Sequence, residues 1–301
     1  MSLSHNAAQA VRRKNAQNPD LAFCLLPNNA SVAMRLINEP GCANVKRAIA
    51  HVQYYCHMAD HIHNTNHLGQ AIGFDVADWK PATRPGRKVL GGRFCRLEPL
   101  DASLHAADLY AAYSLDAGGK NWTYLPYGPF ASHDSFRNWV ERYCAGSDPL
   151  FFAVVDHANG KAVGVASYLR IDPEQGCIEV GHLNFSPHLQ QTPAATEAMY
   201  LMMQEGFSLG FRRYEWKCNA LNLPSRSAAQ RLGLSFEGVF RQAGIVKGRN
   251  RDTAWYSAID SEWPAIQAAL LQWLDPGNFD GQGRQRLQLS ALTAPLLKQR
   301  G

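Results

Sequence analysis

The side chains best suited to chemistry are gathered between residues 177 and 233, CIEVGHLNFSPHLQQTPAATEAMYLMMQEGFSLGFRRYEWKCNALNLPSRSAAQRLG. Glu179 and His182 sit on an alternating, strand-like run. A carboxylate withdrawn from water has its pKa raised toward neutrality, where it can act as a general base. Two roles therefore fit Glu179: general base, or ion-pair partner of a cation on a neighbouring strand, Arg170 for instance. Strict alternation puts Glu179 on one sheet face with Gly181 and Leu183, and His182 on the other with Val180 and Asn184. On that geometry the two do not share a proton, and His182 reads as a sheet histidine with its hydrogen bonds satisfied. After the strand a helix opens at Thr192-Pro193, and a shorter one opens at Asn222. First-turn N–H groups lack partners and carry partial positive charge, so a strand that feeds directly into a helix is a ready phosphate site. Ser225 stands where a first-turn side chain can cap such a helix.

The elements that must hold these groups are legible around them. Residues 92–100 alternate as a strand. Asp101 caps a helix to about Leu115, with Leu104, Ala107 or Ala111, and Leu115 as its apolar positions. Residues 121–130 (NWTYLPYGPF) place Trp122, Tyr124, Tyr127 and Phe130 in a loop with two prolines and a glycine. Such a loop can wall a substrate pocket, or it can cap the core. Ser132 opens a second helix, with Phe136, Trp139, Val140 and Tyr143 on one side. Residues 150–155 and 162–171, joined by an Asn159-Gly160 turn, and residues 178–185 make three consecutive antiparallel strands. The helix at Thr192 ends at Gly210, a left-handed cap. A strand follows at 214–218, then a hairpin over residues 247–250 and a closing helix at 261–273. The fold class is α/β (α+β), with a mixed, mostly antiparallel central sheet flanked by helices.

The ends differ from this body. Residues 1–66 form an N-terminal extension, loosely structured, and carry Cys56, His57, His61 and His63, with His67 just beyond. Thiolate and imidazole suit zinc, yet structural zinc sites pair their ligands at two sequence positions, and this is one loose run. No metal is expected. Translation starting at Met58 would leave residues 1–57 without a selected fold. Residues 67–91 read as a Pro-rich linker or arm, 92–275 as the main domain, and 276–301 as a polar C-terminal tail.

At 301 residues and 46% apolar, the chain can bury a core as one domain with extensions. A formal charge of +5 without a Lys/Arg run fits an anionic small ligand, so neither nucleic acid nor membrane is expected as a partner. Seven scattered cysteines without a CxxC point to a reducing, cytoplasmic setting. A monomer or homodimer fits equally.

The order of elements and several local sequences, FFAVVD…GKAVGVASYLRI, IEVGHLNFSP, ATEA, NALNLPSRSAAQRLGLSFEG and GRNRDTAWYSAI, resemble the GNAT superfamily of acyl-CoA-dependent N-acetyltransferases over roughly residues 92–273. Within it, the RimJ/RimL-like branch of ribosomal-protein N-acetyltransferases is the nearest likeness. The resemblance implies acetyl-CoA as cofactor and direct transfer to a primary amine, on a small molecule or a peptide, in a ternary complex. The family's pyrophosphate loop, Q/R-x-x-G-x-G/A, falls on Gln190, Gln191, Thr192, Pro193, Ala194 and Ala195, with Pro193 in place of the middle glycine. Its Asn-x-x-Ser falls on Asn222 and Ser225, beside the pantetheine arm, with Leu183, Asn184 and Phe185 lining the strand edge. Glu179 matches the glutamate some members use as base, Ser225 is a candidate donor to the leaving thiolate, and Trp122, Tyr124 and Tyr127 are candidate substrate contacts. Pro193 removes one N–H from a loop that donates, so a non-catalytic acyl-CoA-binding protein on the same fold is the alternative.

Overall fold

The computed structural model describes residues 63–301 in two units divided after Trp79. In the first, His63–Thr65 (β1) pairs antiparallel with Ala71–Gly73 (β2). The intervening turn is held by Asn66 Oδ1, which accepts from the N–H groups of Leu68 and Gln70. Cys56, His57, His61 and the alternative start at Met58 lie outside the described residues.

The second unit is built on one eight-stranded sheet of order β3-β4-β5-β6-β7-β8-β10-β9. Its strands are Leu90–Gly91 (β3), Cys95–Pro99 (β4), Leu150–Asp156 (β5), Ala162–Asp172 (β6), Cys177–Phe185 (β7), Arg213–Asn219 (β8), Ser235–Val246 (β9) and Arg249–Ile259 (β10). Every neighbouring pair is antiparallel except β7 and β8, which are joined through the helix Pro193–Ser208 (α3). The helices Ala102–Tyr113 (α1) and His133–Tyr143 (α2) cover one face. The helix α3 and Trp263–Leu274 (α5) cover the other, while Leu223–Arg231 (α4) follows β8. A strand covered on both faces is apolar at every position rather than at alternate ones. In β5, Leu150, Phe152 and Val154 enter the α3 side and Phe151, Ala153 and Val155 the α1 side. The sheet and its flanking helices are as the residue pattern predicts.

The pattern fails at three places. Leu104 on α1 (69%) and Leu115, two residues past its end (53%), are exposed, whereas His105, Ala106, Leu109, Ala112 and Tyr113 are buried. The phase is set from outside the helix: the His105 ring bonds Glu98 and accepts from the Asp101 N–H, turning the helix by about one residue. Second, residues 80–91 are not a free arm. The N–H of Ala82 bonds Pro173, that of Thr83 bonds Leu209, and the Arg84 and Arg87 guanidinium groups bond the carbonyls of Ile171 and Leu100. The sheet begins at Leu90, ahead of the boundary expected at 92. Third, the residues after Pro276 are folded rather than a polar tail. A short helix, Leu289–Thr293 (α6), buries Leu289, and Thr293 Oγ1 donates to the Arg231 carbonyl. Gln299 accepts from the Phe236 N–H. Leu289, Leu292 and Leu296, diluted by glycine and glutamine in the sequence, supply the apolar contact.

One buried acid ties the central helix to the start of the sheet. The Glu197 carboxylate on α3 accepts from the N–H groups of Arg93, Phe94 and Cys95 at 2.6–2.9 Å. A Cβ on Gly92 would lie 2.4 Å from that carboxylate, so only glycine fits there.

Candidate active site

Strands β7 and β8 pair for four residues, from Cys177↔Arg213 to Val180↔Trp216, and then part. The cause is local. His182 has φ +51° and makes a bulge, with the register against β6 slipping between Val165 and Ser167. Past it β7 stays with β6, while β8 stays with β10 as far as Asn219↔Thr253. The result is a wedge between two strands of one sheet, with charged side chains where they still pair and helix openings beyond.

Glu179 is at the paired end, 3% exposed, directly across from Glu215. Its Oε2 accepts from Arg170 Nη1 at 2.7 Å and lies 2.9 Å from Lys217 Nζ. Its Oε1 has no partner among the described residues and touches solvent. Burial raises the Glu179 pKa above the usual carboxylate range, and Lys217 and Arg170 only partly offset this. The ion pair with Arg170 expected for a structural glutamate is present, and it leaves the second oxygen uncommitted. Lys217 is the residue the sequence reading passed over. The alternation in YEWKC was the available signal: Tyr214, Trp216 and Cys218 enter the core, so Glu215 and Lys217 face away, alongside Glu179.

The bulge overturns the expected placement of His182. The extra residue carries its ring to the α1–α2 face, the same side as Glu179, where it stacks on Tyr127 at 5.7 Å and meets Phe151 at 5.1 Å. Alternation resumes one residue out of phase, with Leu183 on the α3 core and Asn184 on the α1 side. Tyr127 Oη and His182 Nδ1 are 3.0 Å apart. Burial, with the Arg170 and Arg251 charges, pushes His182 down to about 4, so the ring is neutral at pH 7. Both Oδ1 and Nδ2 of the buried Asn184 lack partners among the described residues, while its carbonyl accepts from Tyr113 Oη.

At the open end both helices are capped by their own chain. Thr192 Oγ1 accepts from the Ala195 N–H, and Asn222 Oδ1 from the Ser225 N–H, each at 3.2 Å. With Pro193 at the first position, Ala194 keeps the first-turn N–H that has no acceptor among the described residues. Gln191, at φ +62°, forms the turn. Gln190 is exposed, and its Nε2 donates to Asn121 Oδ1 and to the Phe185 carbonyl. Ser225 is not the cap, which is Asn222; its Oγ accepts from Trp216 Nε1 at 3.0 Å.

The aromatic loop does both things its residues allow. Trp122 is buried, edge-on to Tyr113 and Phe130, and caps the α1–α2 core. Tyr124 Oη reaches across to the Leu221 carbonyl (3.2 Å), and Lys247 Nζ holds the Trp122 carbonyl (2.8 Å). The loop thus ties together the turn before α4 and the β9–β10 hairpin, bordering the wedge. Among the described residues, no group of three or more His, Cys, Asp or Glu could hold a metal ion, and no helix is long and apolar enough to cross a membrane.

Known proteins share this construction. Residues 95–235 match the acetyltransferase (GNAT) domain family. The chain is 47% identical to a GCN5-related N-acetyltransferase from Brucella melitensis of known structure, spanning 73% of this chain and 100% of that one, with a TM-score of 0.71. A probable acetyltransferase of the GNAT family from Chromobacterium violaceum is 40% identical over 64% of this chain and 97% of its own, with a TM-score of 0.61. An uncharacterised N-acetyltransferase, YnaD, from Bacillus subtilis is 25% identical over 158 residues, 52% of this chain and 90% of the relative. A mixed sheet that parts between its two parallel strands beside a helix opening, matched at this level, makes the chain a member of the GCN5-related N-acetyltransferases, and so an acyltransferase. The RimJ/RimL-like branch rests on the sequence motifs alone.

Proposed function

We propose that the protein moves an acetyl group from acetyl-CoA to a primary amine of a small molecule or a peptide, with Glu179 as the base. One observation carries this: a buried carboxylate, clamped through one oxygen, keeps the other without a partner among the described residues, one pair short of where β7 and β8 part. A burial-raised pKa is what a base for an ammonium needs, because it brings the proton affinity of the carboxylate up toward that of the amine.

The residues present fit the cofactor. Past Val180 and Trp216, β7 and β8 no longer satisfy one another, Ala194 offers an uncapped N–H, and Asn184 holds a buried amide with no partner among the described residues. Acetyl-CoA supplies an activated thioester. Glu179 Oε1 would take the amine proton. Leu183, Asn184 and Phe185 would line the parted edge of β7, and Gln191, Thr192, Ala194, Ala195 and Asn222 would border the phosphates and the pantetheine arm. Ser225, whose Oγ accepts from Trp216 Nε1, would be the donor to the leaving sulfur. Tyr124 and Tyr127 would border the acceptor, with Trp122 behind them. A protein N-terminus, as expected for the RimJ/RimL-like branch, is one member of the amine class.

Release of free CoA, followed with a thiol reagent over a panel of amino acids, amino-acid conjugates and peptides, tests this. Turnover is expected, and Glu179→Gln should lower kcat by about 10²–10⁴-fold with little change in acetyl-CoA affinity. A variant with wild-type kcat at every pH would remove Glu179 as the base. Acetyl-CoA binding without turnover of any amine would favour the non-catalytic alternative.

A further inference from the structure

The charges around Glu179 form a continuous row across the sheet. Arg170 on β6 bonds Glu179 (2.7 Å), Glu179 contacts Lys217 on β8 (2.9 Å), and Lys217 contacts Glu215 (2.7 Å). Glu215 meets Arg213 (2.7 Å), whose guanidinium grips Glu237 on β9 with two bonds, and Ser257 of β10 completes the row. Signs alternate throughout. Lys217 is its most enclosed cation: its side chain is 9% exposed and its ammonium lies 3.8 Å over the Trp255 ring. Both cations at Glu179 hold the same oxygen, Oε2. The other oxygen lies 3.6 Å from where a Cβ on Gly181 would be, on the first residue of β7 beyond the last β7–β8 pair. Arg170 holds its side from a left-handed backbone (φ +48°), fixed by Asp148, which accepts from the N–H groups of Arg170 and Ile171.

We propose that Lys217 is a positioning residue for the transfer: wedged between Glu179, Glu215 and Trp255, it fixes the Glu179 carboxylate by Oε2 and leaves Oε1 facing the wedge. The inference rests on Glu179 as the base. The groups acting on Glu179 are Lys217 on β8 and Arg170 on β6, with Glu215 on the far side of Lys217; His182, on the same face of β7, is acted on by Arg170 and by Arg251 of β10. Lys217 is shared, so it draws Glu179 toward the ionised form only as strongly as Glu215 permits. Glu215 itself is held below its ordinary value, because Lys217 and Arg213 together outweigh its burial.

The test is the Glu179 titration in the full chain, read by carboxyl carbon NMR on glutamate-labelled protein and assigned by the resonance lost in Glu179→Gln. Lys217→Met should move the midpoint up by about one pH unit or more, Glu215→Gln should move it down, and Lys217→Arg should leave it near wild type. The acid limb of the rate profile, with an amine that is turned over, should shift in the same directions. A lysine that served only to pack the strands would not give a rise on its own removal and a fall on removal of Glu215. Midpoints that stay in place, or move together, overturn the proposal even if Glu179→Gln abolishes turnover. Wild-type kcat in Glu179→Gln removes the base itself, whatever the midpoints do. Should Lys217→Met fail to fold, Glu215→Gln and Lys217→Arg still decide the outcome.

Discussion

The two ends of the β7–β8 seam are built on opposite principles. Where the strands pair, ionised side chains from four strands fill the face and neutralise one another. Where they part, the groups on offer are short and uncharged: Thr192, Ala194, Asn184, Asn222 and Ser225. A proton-transfer site needs its charges fixed and partly dehydrated. A site for a long anionic carrier needs unpaired backbone and room. One bulge, at His182, separates the two within a single strand.

If the contrast holds, pH should act on the stability of the closed end far more than on that of the open end. His182 has the larger share. Its pKa is about 4 in the fold, below the usual 6.5, so the unfolded chain binds the proton first. Stability is therefore expected to fall as pH drops from 6.5 toward 4, by up to roughly 3 kcal/mol from this group. Glu179, whose pKa is raised, works in the opposite sense in part of that window. The readout is thus the difference between wild type and His182→Gln in urea unfolding at pH 7 and pH 4.5. Equal losses in the two would place the acid sensitivity elsewhere.

At the open end the caps should matter to stability by a smaller, pH-independent amount. Asn222→Ala removes the acceptor of the Ser225 N–H and should cost about 1 kcal/mol, seen as a lower melting temperature at any pH near neutrality. A cap loss that grew with acidity would blur the distinction between the two ends. The smallest effect is expected at Pro193, where Pro193→Ala returns one N–H to the helix opening without disturbing Thr192. Acetyl-CoA affinity by calorimetry should tighten by no more than about threefold, the low end of one hydrogen bond's net worth. Weaker binding would mean the proline's fixed geometry serves the loop better than the lost donor.

Much of the site could be read directly. Glu179, the helix opening at Thr192-Pro193 and the Asn222 cap depend on short-range signals: alternation, a capping residue and a proline at the first helical turn. Lys217 was readable in principle, since YEWKC alternates, but its importance requires knowing that β8 lies parallel to β7 in a register that puts Glu215 opposite Glu179. Gln190 stands at the same loop, and its Nε2 is bound by Asn121, a partner 69 residues away that no local pattern names. His182 was placed on the wrong face because alternation assumes an unbroken strand.

The sequence by itself determined the elements, their order, the two-faced burial of the sheet and the identity of the buried acid, because these follow from local periodicity and from which residues tolerate burial. Only the tertiary structure decided which way His182 turns, where β7 and β8 part, and which cations hold Glu179. It also decided that residues 276–301 close over α4 and β9. Each of these depends on a register or a contact between segments far apart in the chain, and a one-residue slip would reverse it.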